Sequence, residues 1–429
     1  MKEKYQKLAN EYVVSLFPAF MLPIGMVQGT KKFFNSPVKI CFKIEDNAVE
    51  WYFLPENWKQ AHLRFVEKLK KNPDFLYFAY DQMVSLANRQ IKFGKSIKAK
   101  LKSSSNNQLV KYYQKFIKYN IELYQYGLLL PLLDYNDLTF LSDELHKILK
   151  QKNADKYFNL LTIPYQETVV KKQELDLLII LQSVLKQNGL KTVLKNGDPC
   201  RIIEVLKNKY PRFWQTIRKH TQKYTWAYYV YEGPAVDEKY FLQILQDWSQ
   251  RKLDPKKEIA SYLKYSLEVK NKQRALIKNL DLNKYEKQIL DLTRDGVFIK
   301  PYRRELQSCS YYFIEPLLIE IGKRLSLSLK QVRTMLPDEV KNALLKHTNF
   351  SDLINERQKL LVYRYVKGKM ICLTGKKAES FAKKNFVIEK INFNLNIFQG
   401  ATAFGGKIKG RVKIINSPKE MGKCKKGIF

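Results

Sequence analysis

Two consecutive arginines followed by a glutamate, Arg303-Arg304-Glu305 after Tyr302, are the residues best suited to hold an anion. A guanidinium presents a planar fork of donors that matches a phosphate or a carboxylate. A surface ion pair explains the same three residues, and both readings stay open. A second cluster, Gly400-Ala401-Thr402-Ala403-Phe404-Gly405-Gly406-Lys407, invites comparison with a phosphate-binding loop. It fails that comparison. Ala401 stands where the pattern G-x-x-x-x-G-K-[ST] needs glycine, and Ile408 replaces the metal-binding hydroxyl. The segment also opens a strand pattern rather than a helix, so no helix N-terminus would face a phosphate. Gly400, Gly406 and Gly410 read instead as bends and close backbone approaches in a sheet.

Metal and nucleophile chemistry lack their usual signals. His62, His146, His220 and His347 form no H-E-x-x-H pair, and no G-x-S-x-G is present. Cys41, Cys200, Cys309, Cys372 and Cys424 are odd in number, widely spaced and without C-x-x-C. That pattern argues against a disulfide framework and a thiolate zinc site, and it predicts a reducing, cytoplasmic setting.

The formal charge of +36 suggests a nucleic-acid partner until it is divided into 62 Lys and only 15 Arg. Nucleic-acid readers use Arg heavily because its fork grips phosphates and guanines. Lys, Asn, Ile and Tyr are abundant together here, as AT-rich coding produces, so nucleic acid is not the expected partner. The alternative of a basic helical binding module rests on two segments. In the first, Tyr210, Trp214, Ile217, Thr221, Tyr224 and Tyr228 recur at helical spacing, interleaved with Arg212, Arg218, Lys219 and Lys223. An aromatic core stripe beside a solvated basic face is the plainer reading of it, and a base-stacking surface is the sharper one. In the second, Lys407, Lys409, Arg411, Lys413, Lys419, Lys423, Lys425 and Lys426 face only Glu420.

The elements that position these residues are mainly α-helical. With 429 residues the chain should hold two or three domains. Tyr12–Thr30 carries no charge, but Pro18, Pro23, Gly25 and Gly29 interrupt it, so it reads as a Pro-broken lead into a buried core rather than a membrane span. Val38–Ile44 and Ala48–Leu54 predict a β-hairpin, and helical periodicity then runs from Trp58 to about Lys346. Ser328-Leu329-Lys330-Gln331 is a capping box. Leu360–Tyr365 and Met370–Leu373 predict a second hairpin near residues 360–373, and Lys376–Lys384 a short helix. From Phe398, Ile408, Val412 and Ile414 alternate with Lys407, Lys409, Arg411 and Lys413 as in a strand. The expected organisation is an N-terminal helical lobe with a hairpin (1–160), a second helical region (161–395) and a final segment (396–429), with Leu160–Tyr165 at the first boundary.

The segment Gln399–Ile415 resembles the opening of the swivelling, mobile domain of PEP-utilising enzymes, a mixed α/β domain. Gly400, Ala403, Gly406, Ile408, Gly410, Val412 and Ile414 match its G-x-x-A-x-x-G-x-[VI]-x-G-x-[VA]-x-[VI] pattern. Upstream, Tyr302–Glu305, Pro316–Leu325, Val332–Val340, Ile354–Arg357 and Thr374–Ala378 are similar to the helical segment preceding that domain in PEP synthases and rifampin phosphotransferases. The resemblance implies phosphoryl transfer through a phosphohistidine on the swivelling domain. It also implies an ATP-grasp domain or subunit using ATP and Mg, and a small-molecule phosphoryl acceptor. The family's histidine sits in a T-S-H-A motif, which would lie beyond Phe429, and no ATP-grasp signature is evident. The chain is therefore expected to be a component or fragment, inactive alone. Family members also place charged residues where Arg303, Arg304 and Glu305 stand, at an expected helix start, which makes these three the candidate substrate-binding residues.

Overall fold

Strict alternation puts Ile40, Phe42 and Ile44 on one side of a strand and Cys41 and Lys43 on the other. The computed structural model, which describes residues 3–387 except 13, 47, 135–137, 196 and 197, forms that strand as β2 (Ile40–Glu45). Its antiparallel partner β3 (Ala48–Phe53) pairs in register from Ile40 with Phe53 to Glu45 with Ala48. The second expected hairpin forms as β4 (Leu360–Val366) and β5 (Lys369–Thr374). Its turn residues Lys367 and Gly368 have φ of 49° and 80°, the conformation that a two-residue type I′ turn requires and that Gly adopts without strain.

The two hairpins join. β2 pairs with β4, and β1 (Gln6–Tyr12) adds to β3, giving one antiparallel sheet ordered β1-β3-β2-β4-β5. β1 has no alternating apolar signal because it is an edge strand, held largely by main-chain pairing to β3. One face of the sheet, with Phe42, Trp51 and Tyr363, belongs to the main core; Phe42 stacks on Tyr363 at 4.9 Å. The opposite face, with Cys41, Tyr52 and Val362, packs with Ala378, Phe386 and Tyr5, and Tyr52 stacks on Phe386 at 3.7 Å.

The helices before residue 165 are α1 (Leu16–Phe34), α2 (Pro55–Lys71), α3 (Asp74–Ile97), α4 (Asn106–Gly127), α5 (Leu129–Leu133), α6 (Leu141–Gln151) and α7 (Phe158–Leu161). A second group is α8 (Val169–Leu185), α9 (Asn188–Lys195), α10 (Pro199–Lys209), α11 (Pro211–Tyr224) and α12 (Glu238–Gln250). Then come α13 (Pro255–Asn279) and α14 (Lys284–Leu325). α15 (Leu329–Val332), α16 (Pro337–Lys346), α17 (Ser351–Lys359) and α18 (Gly375–Asn385) complete the order. The capping box at Ser328 opens α15 as expected. α14 has 42 residues, so at 1.5 Å per residue it is about 63 Å long. It packs against α3, α4 and α6.

Besides that small cluster on the far face of the sheet, two larger apolar cores form among the described residues. One joins α1–α6 to α14, α16 and the sheet; the other, with Leu181, Leu206, Ile217 and Phe241, belongs to α8–α12. The expected boundary near residue 160 falls at the α7–α8 connection, ahead of the second core, while β2 from before it and β4 from beyond it lie side by side. Met1–Val387 is one compact unit. The expected swivelling-domain segment 396–429, with Gly400, Gly406 and Gly410, lies outside the described residues. No helix among the described residues is long and apolar enough to cross a membrane.

One expectation is corrected. The prolines do not break Tyr12–Thr30, which instead supplies most of the continuous helix α1. Pro18 falls in the first turn, where a backbone N–H has no helical acceptor to lose. Pro23 gives up one interior bond, but α1 is buried along most of its length, and packing outweighs that bond. The glycines serve the packing. A Cβ on Gly25 would lie 2.4 Å from Tyr124 Cβ, and one on Gly29 would lie 2.5 Å from the Gln125 carbonyl oxygen. The α4 backbone thus occupies the space that any side chain would need. Gly29→Val is expected to lower stability by about 1–3 kcal/mol through overpacking. Urea unfolding measures it, and an unchanged midpoint would show that α1 and α4 separate without cost.

Candidate functional site

Arg303, Arg304 and Glu305 lie in the interior of α14, not at a helix start. The helix begins earlier, at a capping box in which Asn283 accepts from the Glu286 N–H and the Glu286 side chain accepts from the Asn283 N–H. Pro301, which resembles a helix-opening residue, is accommodated inside the helix. Successive helical residues point about 100° apart, so the three side chains diverge. Arg303 Nη1 donates to the Gly127 carbonyl at 2.9 Å, at the negative end of the α4 dipole. Arg304 is exposed, with its guanidinium 5.8 Å from the centre of the Tyr231 ring. Glu305 Oε1 accepts from the Val169 N–H at 2.8 Å and so caps the N-terminus of α8. Burial raises the Glu305 carboxyl above the usual carboxylate range. Glu305 is therefore a structural residue that ties α8 to α14.

Of the three, Arg303 lines a cavity. Its volume is about 170 Å³, close to the roughly 150 Å³ cavity that takes up a benzene-sized molecule. Trp51, Trp58, Tyr124 and Tyr231 supply aromatic wall, and Leu22 and Met26 of α1 supply aliphatic wall. Apart from the phenols, four polar side chains line it: Lys300, Arg303, Gln307 and Glu11 of β1, whose Oε2 accepts from Trp51 Nε1 at 3.3 Å. Arg303 Nε is buried and has no hydrogen-bond partner among the described residues. Gln307 is 1% exposed, and neither end of its amide has a hydrogen bond of ordinary geometry, although it faces the Tyr124 phenol. An amide left in that state costs about 1–3 kcal/mol, and a ligand in the cavity would relieve it.

Behind the cavity a polar chain fixes the Tyr124 hydroxyl. Tyr124 bonds to Tyr311, whose hydroxyl accepts from Asn120 Nδ2 at 2.8 Å, and Gln90 Nε2 donates to Asn120 Oδ1 at 3.2 Å. Burial pushes the Tyr124 and Tyr231 phenols up, so both stay protonated and can donate. A guanidinium, a carboxylate and phenol donors within aromatic walls can together hold a small molecule with an anionic group and a hydroxyl or amino group.

Lys300, Arg303 and Gln307, spaced three and four apart, lie on one helix face, and that spacing was a readable signal. Glu11, Trp51, Tyr124 and Tyr231 carried none, because only the fold brings them to α14.

The other candidates disperse. In α11, Phe213, Ile217, His220, Thr221 and Tyr224 are buried in the second core, so the aromatic stripe packs rather than offering a base-stacking surface. Tyr311 is buried, and Tyr302 stacks on Phe298 at 5.0 Å. His62 Nδ1 meets the Leu132 carbonyl at 3.1 Å, and His146 Nδ1 meets Asp155 at 2.6 Å. Among the described residues no group of three or more His, Cys, Asp or Glu side chains is placed to hold a metal ion. Neither a family model nor a curated protein matches the chain.

Proposed function

We propose that the chain is the acceptor-holding helical part of a PEP-utilising-type phosphotransferase, and that the cavity around Arg303 receives the small phosphoryl acceptor. The observation that carries this reading is that Arg303 and Glu11 line one aromatic-walled cavity together with the buried Gln307 amide, neither end of which makes a hydrogen bond of ordinary geometry. Arg303 binds an anionic group of the acceptor, and Glu11 accepts a hydrogen bond from its hydroxyl or amine. The ATP-grasp domain or subunit, with ATP and magnesium, is the partner that supplies the phosphoryl group. The resemblance of Gln399–Ile415 to the swivelling domain supports this part of the reading.

The test is calorimetric titration of the chain with glycerate, lactate, serine and benzoate. At least one is expected to bind, and Arg303→Met to weaken it about tenfold or more, as loss of a charge-assisted fork does. Arg303→Lys should retain part of the affinity. Absence of binding by all four, or equal affinity in Arg303→Met and Glu11→Gln, would overturn the assignment. The phosphotransferase part is tested separately, by reading the DNA beyond codon 429. A T-S-H-like motif supports it, and a stop with no such histidine in a neighbouring frame removes it.

A further inference from the structure

A larger concavity, about 750 Å³, lies where the end of α1, the start of β2, α2 and the β4–β5 turn meet. Its volume falls in the roughly 300–1,000 Å³ range of small-molecule sites. Five cationic side chains line it: Lys31, Lys39, Arg64, Arg364 and Lys367. Glu3 is its one acidic lining residue. The whole chain has 77 basic residues to 41 acidic, so the cleft concentrates positive charge well beyond the composition.

That one carboxylate is already shared. Glu3 accepts from Lys39 at 2.5 Å and, at a longer 3.3 Å, from Arg364 Nη2. Arg364 Nε is buried and has no hydrogen-bond partner among the described residues. Arg64 is held at the rim by the Phe34 and Asn35 carbonyls, which fix its position but leave its charge unneutralised. A concave wall of low dielectric focuses such a field on its contents. The rest of the lining is not that of a simple ion site. Val27, Val38 and Ile40 make an apolar wall, Tyr365 adds an aromatic ring, and Asn57 and Gln60 offer amides.

We propose that this cleft binds a small phosphorylated molecule with an apolar or aromatic body, the phosphate lying toward Arg364, Lys31 and Lys367. This site differs in charge balance from the Arg303 cavity, with five cations to one carboxylate against two to one, and it does not depend on that assignment.

The experiment titrates the full chain with naphthyl phosphate, naphthol, inorganic phosphate and a short single-stranded RNA, followed by naphthyl fluorescence or calorimetry. Naphthyl phosphate is expected to bind about tenfold or more tightly than naphthol or inorganic phosphate. The exposed pair Lys31→Ala with Lys367→Ala should weaken it about tenfold. A matched pair on α13, Lys256→Ala with Lys257→Ala, removes the same charge elsewhere and should change it by less than about twofold. No binding of naphthyl phosphate would overturn the proposal. So would equal losses in the two double variants, which would reveal only the general field of a basic protein. Inorganic phosphate binding as tightly as naphthyl phosphate would remove the role of the apolar wall. RNA that displaces naphthyl phosphate and binds more tightly would reassign the cleft to nucleic acid.

Discussion

Replacing Arg357 by leucine is expected to lower the stability of the protein by about 3–5 kcal/mol, the cost of leaving a buried charge without its partner. Arg357 reaches from α17 to the start of α16. There its Nη1 and Nη2 each donate at 2.6 Å to one oxygen of Glu339, and Nη1 also donates to the Thr334 carbonyl at 3.2 Å. The guanidinium side chain is 4% exposed and the carboxylate 13%. Glu339 Oε2 in turn accepts from the Leu336 N–H at 2.8 Å, closing the first turn of α16. Removing Arg357 alone strands that carboxylate. Removing both charges, as Arg357→Leu with Glu339→Leu, should recover a large part of the loss, because the desolvation of both ions disappears with their attraction. Urea unfolding of the two single variants and the double variant forms the cycle that measures it. A single-variant loss under about 1 kcal/mol would mean the pair behaves as an exposed one.

Acidification is expected to destabilise the protein through His220, by up to about 3 kcal/mol between its ordinary pKa of 6.5 and a folded value of about 4. The ring sits in the second core, edge-on to Phe241 at 4.8 Å and beside Tyr224 at 4.9 Å. Burial disfavours its charged form most strongly; Asp176 opposes that shift, and Lys223 adds to it. The hydrogen bonding agrees. Tyr228 donates to Gln173 Oε1 at 2.7 Å, which turns the Gln173 amide nitrogen toward His220 Nε2 at 3.2 Å, so that ring nitrogen must accept. Above pH 6.5 folded and unfolded rings are both neutral, and the full stability is present. As the pH falls below 6.5 the unfolded ring takes a proton that the folded ring refuses. The loss grows until about pH 4, where the folded ring titrates too. Urea midpoints compared at about pH 7 and about pH 4.5 should show a larger drop in the natural protein than in His220→Gln. Equal drops in the two proteins would contradict this account.

Local rules made much of the fold legible. The β2–β3 alternation, the Lys367-Gly368 turn and the Ser328 capping box each depend on a few neighbouring residues, and each forms where its residues predict. Arg303 was legible as an anion-holding residue because its side-chain chemistry is intrinsic to it.

What the sequence alone could not decide is which distant surfaces meet. A strand's alternation states which side is apolar but not which strand lies beside it, so the two hairpins carried no sign that β2 would pair with β4. Pro18 and Pro23 argued locally for a break, and the burial of α1 against α4 overrode them. The same reasoning separates Arg303, Arg304 and Glu305. They are adjacent in sequence, yet the rotation of a helix sends the first into a cavity, the second to solvent and the third to the end of α8. Glu11, Trp51, Tyr124 and Tyr231 join Arg303 only because β1, β3, α4, α14 and the turn between α11 and α12 surround one space. The sequence by itself thus determined the element types, the turn and cap positions and the chemical capacity of single side chains. Their assembly into one sheet, its flanking cores and a shared cavity was decided by tertiary packing, because contacts across more than two hundred residues are selected by burial and shape and leave no periodic trace in the local pattern.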